Sequence, residues 1–243
     1  MNPIGFSTGA IAKGDFRKAL EILAPTSGDA VELSALRAGE FTPLMDALPS
    51  IDFRKYQHVS LHTPKSFGGK VTAFNAITSI IQAPKVLSCV VAHLSAIVST
   101  TVWGTLGSLL ALENTDEPPS LLRQQSSALL RAGICIDIGH AVRQDITGAT
   151  AVALFDLARV CPIKEIHLSV CRFDGKHVLL SSLKQVPEIY RTIVAMIPDR
   201  IPIILEGEVP PSERIPIIRE EEELLPRRIE RELSLVRELL GDR

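Results

Sequence analysis

The sequence predicts a closed (β/α)8 barrel of the TIM type, compact and running as a single α/β domain over residues 1–243, on three observations. Short β-branched runs alternate with longer stretches of helical period, the pattern of parallel βα units. Eight such units fit 243 residues, near the lower end for a closed ring. The first strand-to-helix turn, Ser7-Thr8-Gly9-Ala10, carries neither GxGxxG nor a P-loop, which argues against an open, doubly wound sheet.

Each element has a local cause. Strand one is Ile4–Ser7, and Asp15 caps a helix over 15–23, with Gly28 ending the loop after it. Strand two spans 29–33 and is followed by a helix at 42–47, where Met45 belongs to the core. Strand three is His58–His62, then comes a helix at 73–81. Strand four, 86–93, precedes a helix at 96–104, and strand five, 108–113, one at 120–131. Ser120 is a fitting cap for that helix and Ala132-Gly133 its exit; Leu121, Leu122, Gln125, Ala128 and Leu129 keep one apolar face. Strand six, 134–137, leads to a helix at 147–160 closed by Pro162. Strand seven, 166–169, leads to a helix at 183–197 closed by Pro198. Strand eight is 203–206, and a final helix at 226–240 closes the barrel with Ile229, Leu233, Val236 and Leu240 on one face. The acidic run at 220–223 reads as a solvated face or turn.

Composition narrows the function classes. With 46% apolar and 22% charged residues the chain can bury a sizeable core and does not read as disordered. A net charge of -2 gives no global attraction to nucleic acid. The longest apolar candidate, 86–98, is short and holds His93, so no membrane span is expected. The N-terminal segment lacks a basic stretch followed by an apolar one, so export by signal peptide is not expected and a cytoplasmic location is. Four cysteines do not make a disulfide scaffold. Beyond the amphipathic final helix there is no interface signature for a homo-oligomer.

The functional signal lies where the histidines and acids fall. Glu32, His62, His93, Glu113, Asp137 with His140, His167 and Glu206 each follow an apolar run, at the C-terminal ends of strands two to eight. In a closed barrel those ends meet on one rim. One histidine at a strand end is ordinarily a satisfied core or loop residue. Successive carboxylates are harder to dismiss, because gathering them without a cation is costly. Carboxylate and imidazole donors suit Zn²⁺, Mn²⁺ or Mg²⁺. The smallest expected ligand set is Glu113, Asp137, His167 and Glu206, with His62, His93 and His140 available to a second or third ion. A loop carrying Asp174 and His177 after strand seven can fold back over the site.

With these motifs in view, LENT around Glu113, IDIGHA around Asp137 and His140, HLSV around His167 and LEGE around Glu206, the chain resembles the xylose isomerase-like TIM-barrel superfamily from Gly5 to Glu206. That group includes sugar isomerases, sugar-acid epimerases and abasic-site nucleases of the endonuclease IV type. The resemblance implies a metal-dependent isomerase or epimerase of a small sugar or sugar derivative. One ion would sit on Glu113, Asp137, His167 and Glu206. Glu113 and Glu206 would act as base and acid on opposite sides of one carbon, and His140 would position a substrate oxygen. Lys65 or Arg172 would bind a substrate carboxylate or phosphate; Glu32 and Phe67 are further substrate-side candidates.

The nuclease relatives imply an alternative, a zinc-dependent phosphodiesterase with up to three ions. There His62, His93 and Glu113 would hold one part of the cluster, and Asp137, His140, His167 and Glu206 the rest, with Asp174 and His177 matching a strand-seven pair. This chain spaces that pair by three rather than two. DNA is a partner only under this reading, which needs basic rim loops; Arg37, Lys55, Lys65, Lys70, Arg143 and a wedge at Phe67 are the scattered candidates. A third reading is a barrel that binds a ligand without turnover.

Overall fold

The computed structural model describes residues 1–83, 85–129, 131–209 and 219–241, with side chains omitted at Lys70 and at 219–224. Eight parallel strands close a ring: β1 (Ile4–Ser7), β2 (Ala30–Ser34), β3 (His58–His62), β4 (Cys89–His93), β5 (Leu110–Glu113), β6 (Gly133–Asp137), β7 (Ile163–Leu168) and, after a hairpin of β8 (Val170–Cys171) and β9 (His177–Val178), β10 (Ile203–Leu205). β10 pairs with both β7 and β1, so no barrel edge is left open. Gly5 permits the β1–β2 seam: a β-carbon there would stand 1.6 Å from the Ala30 carbonyl oxygen.

Side chains alternate across each strand. Phe6, Val31, Leu33, Val59, Leu61, Val90, Leu112, Ile136, Ile166, Leu168 and Leu205 join the main apolar core with the surrounding helices. The alternate positions carry small or polar residues instead. Cys89, Val91, Ala111 and Cys135 form their own small apolar cluster. Glu32, His58, Ser60, His62, His93, Glu113, Asp137, Glu165 and His167 are all buried in the strands beside it. The apolar shell therefore supplies the folding energy, and the lumen is free to carry chemistry.

The helices are α1 (Thr8–Ala12), α2 (Phe16–Leu23), α3 (Ala38–Ala47), α4 (Lys70–Gln82), α5 (Thr100–Gly104), α6 (Pro119–Ala128), α7 (Ile138–Gln144), α8 (Ala149–Leu157), α9 (Glu188–Val194) and α10 (Arg219–Leu240). Asp15 caps α2 by accepting the Lys18 N–H. Among the described residues no helix is long and apolar enough to cross a membrane.

Several boundaries differ from the expected ones. Proline explains three of them. Pro118 and Pro119 start α6, so Ser120 is inside the helix rather than its cap. Pro43 and Pro226 lie within α3 and α10, which begin at Ala38 and Arg219, ahead of the expected starts. The acidic side chains at 220–223 lie outside the described residues. The expected helix at 96–104 splits into a 3₁₀ turn, Leu94–Ala96, and the short α5. The one at 183–197 contracts to α9 behind Pro187, after a 3₁₀ turn at Leu180–Ser182. β7 starts at Ile163, which brings Lys164 and Glu165 into the sheet. α10 presents Ile229, Leu233, Val236 and Leu240 to the core and packs on α2, α9 and the 180–182 turn.

Candidate metal centre at the barrel mouth

The parallel register brings the strand ends level. His93 is paired with Glu113, and Asp137 with His167. Glu113, 2% exposed, is the hub. Its Oε2 lies 2.9 Å from His62 Nε2 and 3.0 Å from His93 Nε2, and its Oε1 lies 3.0 Å from His167 Nδ1. Glu206, just beyond β10, reaches the same His167 Nδ1 at 3.4 Å with one oxygen and His177 Nδ1 at 3.6 Å with the other. A β-carbon at Gly207 would meet the Leu179 backbone nitrogen at 2.6 Å, so this glycine lets the chain leaving the hairpin cross close behind Glu206.

Asp137 N-caps α7: one carboxylate oxygen accepts the His140 N–H at 2.6 Å. Asn114 braces the same strand end, donating to the Asp137 carbonyl at 2.9 Å and accepting the Asp137 N–H at 2.8 Å. The other carboxylate oxygen of Asp137 is buried and has no hydrogen-bond partner. His140 is in the first turn of α7, its Nδ1 3.2 Å from Arg143 Nη2, and Arg143 in turn contacts Asp116. The β8–β9 hairpin folds over this side of the mouth. It brings His177 to Ser169 Oγ at 2.8 Å, and the His140 and His177 rings to 5.1 Å between centroids.

Three sets of ligating atoms, each within 4.8 Å of one another, stand side by side: His62, Glu113, His167 and Glu206; Asp137, His177 and Glu206; and His140, Cys171 and His177. Glu206 and His177 link neighbouring sets. A cavity of about 400 Å³ opens over them, lined by Glu113, Glu206, His62, His93, His140 and His177, with Lys13 and Lys65 at its margin.

The charges are strongly interdependent. Burial works against ionisation of Glu113, but His93, His167 and His62 outweigh it and hold its carboxyl well below the usual range. Burial pushes Glu206 well above it, reinforced by Glu113, Asp137 and Glu32. Burial also opposes charge on His62, yet Glu32 and Glu113 raise it to about 9. In metal-free protein this stabilisation is complete below the unfolded value near 6.5 and is lost as pH rises through about 9. Chelator-treated protein is expected to melt at a lower temperature as pH climbs through that window, and His62→Gln to flatten the slope. Parallel slopes in a calorimetric pH series would remove His62 from this role.

The remaining sequence candidates lie elsewhere. Glu32 is fully buried beneath His167, its Oε2 3.1 Å from Nε2, and does not line the cavity. Phe67 is 5% exposed and packs edge-on to Phe41 and against Trp103, so its ring is not a lid over the cavity. Arg172 and Asp174 are exposed on the hairpin turn, 3.8 Å apart, and Asp174 is in none of the ligating sets. Cys171 takes that place beside His140 and His177. Lys55 binds the Leu23 and Ala24 carbonyls at the end of α2, away from the mouth. The side chain of Lys70 lies outside the described residues.

Sequence reasoning missed Lys13, Cys171 and, inside the barrel, His58 and Glu165. Period-two spacing carries the signal for the last two: His58, Ser60 and His62 share one face of β3, and Glu165 and His167 one face of β7.

No protein-family model and no curated protein matches the chain. Solved structures do. A D-tagatose 3-epimerase-like protein aligns over 97% of this chain and 98% of its own, with 16% identity and a TM-score of 0.51. A xylose isomerase domain protein from Planctomyces limnophilus aligns over 99% of this chain and 96% of its own, with 14% identity and a TM-score of 0.56. The chain therefore has the fold of the xylose isomerase-like TIM barrels.

Proposed function

We propose that the protein is a divalent-metal-dependent isomerase or epimerase of a small sugar or sugar derivative. One observation carries the reading: Glu113 and Glu206 approach the same His167 nitrogen, at 3.0 and 3.4 Å, and both line a cavity of about 400 Å³. That volume suits a monosaccharide-sized ligand.

The residues present fit a metal. The orphaned buried oxygen of Asp137 lacks the partner that a cation would supply, and the donors of Glu113, Asp137, His167 and Glu206 are all nitrogen and oxygen, as Zn²⁺ or Mn²⁺ accepts and Mg²⁺ tolerates. Glu113, His167 and Glu206 would hold the ion, joined by Asp137 from the neighbouring set that shares Glu206, and the ion's chemistry is to make a proton beside a carbonyl easier to remove. Glu113 and Glu206 take and return that proton at their carboxylate oxygens. His140, its Nδ1 engaged by Arg143, turns its other nitrogen to a substrate oxygen. Lys13 and Lys65 supply positive charge for an anionic substituent.

A second reading, a multi-zinc phosphodiesterase, has its own support in the three linked ligand sets, which offer donors for adjacent ions. Against it, the basic rim is sparse among the described residues: Arg143 is spent on Asp116, and Lys55 is held at the end of α2.

Both readings are separable in one set of measurements. Protein loaded with zinc or manganese is expected to hold at least one ion per chain and to exchange substrate carbon-bound hydrogen with D₂O across a panel of ketoses and aldoses. Glu206→Gln should lose the ion and slow exchange on the order of 10²-fold or more. Unchanged ion content and exchange in that variant would sink the isomerase reading. Two or three zinc ions with hydrolysis of a phosphodiester and no deuterium uptake would establish the second.

A further inference from the structure

Beneath the mouth, the lumen holds two ionisable side chains, His58 and Glu165, that the proposed chemistry does not use. His58 Nε2 lies 2.5 Å from Glu165 Oε2. The other oxygen of Glu165 lies 3.0 Å from His167 Nε2. His167 Nδ1 then faces Glu113 Oε1 at 3.0 Å on the mouth side. His58 opens β3, so this file of contacts runs from the barrel floor to the site. Glu165 and His167 are fully buried, and His58 is 6% exposed.

We infer that Glu165, itself held by His58, is a positioning residue: it keeps the proton of His167 on Nε2, facing the floor, so that Nδ1 is the metal donor at the mouth. This rests on the reading of His167 as a ligand given above. The reasoning is geometric. A neutral imidazole has one N–H and one lone pair, and the partner of the first decides where the second points. Glu165 is two residues before His167 on the same strand and presents its carboxylate from one layer below. Glu32 is a weaker holder although its Oε2 is 3.1 Å from the same nitrogen, since neither of its oxygens forms a hydrogen bond. His58 completes the arrangement, because a buried carboxylate with only one of its oxygens bonded would be costly and free to rotate. An opposite arrangement is also built into the lumen: Cys135, Glu165 and His167 offer three donors within 4.8 Å, and an ion there would take Nε2 instead.

The test uses zinc, which is diamagnetic. In zinc-loaded, ¹⁵N-labelled protein, long-range ¹H–¹⁵N correlation of the imidazoles, with His167 assigned by its absence in His167→Gln, should find the proton on Nε2 and zinc on Nδ1. Zinc on Nε2, or a proton on Nδ1, overturns the inference without any variant having to fold. In chelator competition, Glu165→Gln and His58→Gln should weaken zinc about 10- to 100-fold while keeping a cooperative melt, as loss of a partner behind a ligating histidine does. A change under about threefold in Glu165→Gln, with zinc still lost in His167→Gln, overturns this inference alone. Zinc retained at full affinity in His167→Gln overturns the functional reading beneath it.

Discussion

Glu113→Gln is expected to empty the metal centre. Three imidazole nitrogens lie within 3.0 Å of its two oxygens, and among the described residues no other carboxylate pairs with both His62 and His93. The amide keeps the shape but removes the charge and turns one acceptor into a donor that faces a histidine. Metal content should fall below one ion per chain, and substrate proton exchange by on the order of 10²–10³-fold, the range seen when one preorganised electrostatic contact is removed. Far-UV circular dichroism should stay native, since the strand around Glu113 is held by Leu110 and Leu112 in the outer core. Elemental analysis and deuterium uptake on the same preparation decide it. Full ion content in the variant would mean that the hub of the site has been misplaced.

The second large effect is on stability. Glu232 of α10 is 1% exposed, and its two oxygens accept the backbone N–H groups of Leu180 and Ser181 at 2.7 and 2.8 Å. These are orphan donors at the start of the 3₁₀ turn that follows the hairpin, so one side chain ties the closing helix to the segment bearing His177. Glu232→Ala leaves both donors unpaired, the Leu180 one buried and the Ser181 one partly so, at up to about 1–3 kcal/mol each. A loss of about 2–5 kcal/mol is expected, or on the order of 10 °C in melting temperature for a chain of this size. Glu232→Gln, which keeps one acceptor, should fall between the variant and the parent. Urea denaturation of the metal-free proteins measures this without confusion from ligand binding. A cost below about 0.5 kcal/mol for the alanine variant would indicate that solvent replaces the carboxylate.

Most of the ring is legible in the amino-acid sequence. Most strands are marked by short apolar runs, carried by β-branched residues in β4, β6 and β10 and by leucine and alanine in β5. β7 is the exception, because Lys164-Glu165 interrupts its apolar run; register with β6 and β10 decides that Glu165 is in the strand and faces inward. The starts of α3, α6 and α10 strayed at prolines, which sit inside α3 and α10 and open α6, whereas the helix expected at 96–104 broke without one. His140 looked like part of a strand end, whereas the structure seats it on α7, pinned by the Asp137 cap.

The amino-acid order by itself determined that acids and imidazoles fall at the ends of buried strands, because burying a charge leaves a visible break in an apolar run. It also determined that those ends share one rim, because parallel βα units in a ring allow no other placement. Tertiary structure alone decided which of these groups touch. The hairpin carries Cys171 inward and leaves Asp174 in solvent, Phe67 turns into the helical layer, and Glu165 reaches up to His167 from below. Such contacts depend on loop path and strand stagger, which distance along the chain does not encode.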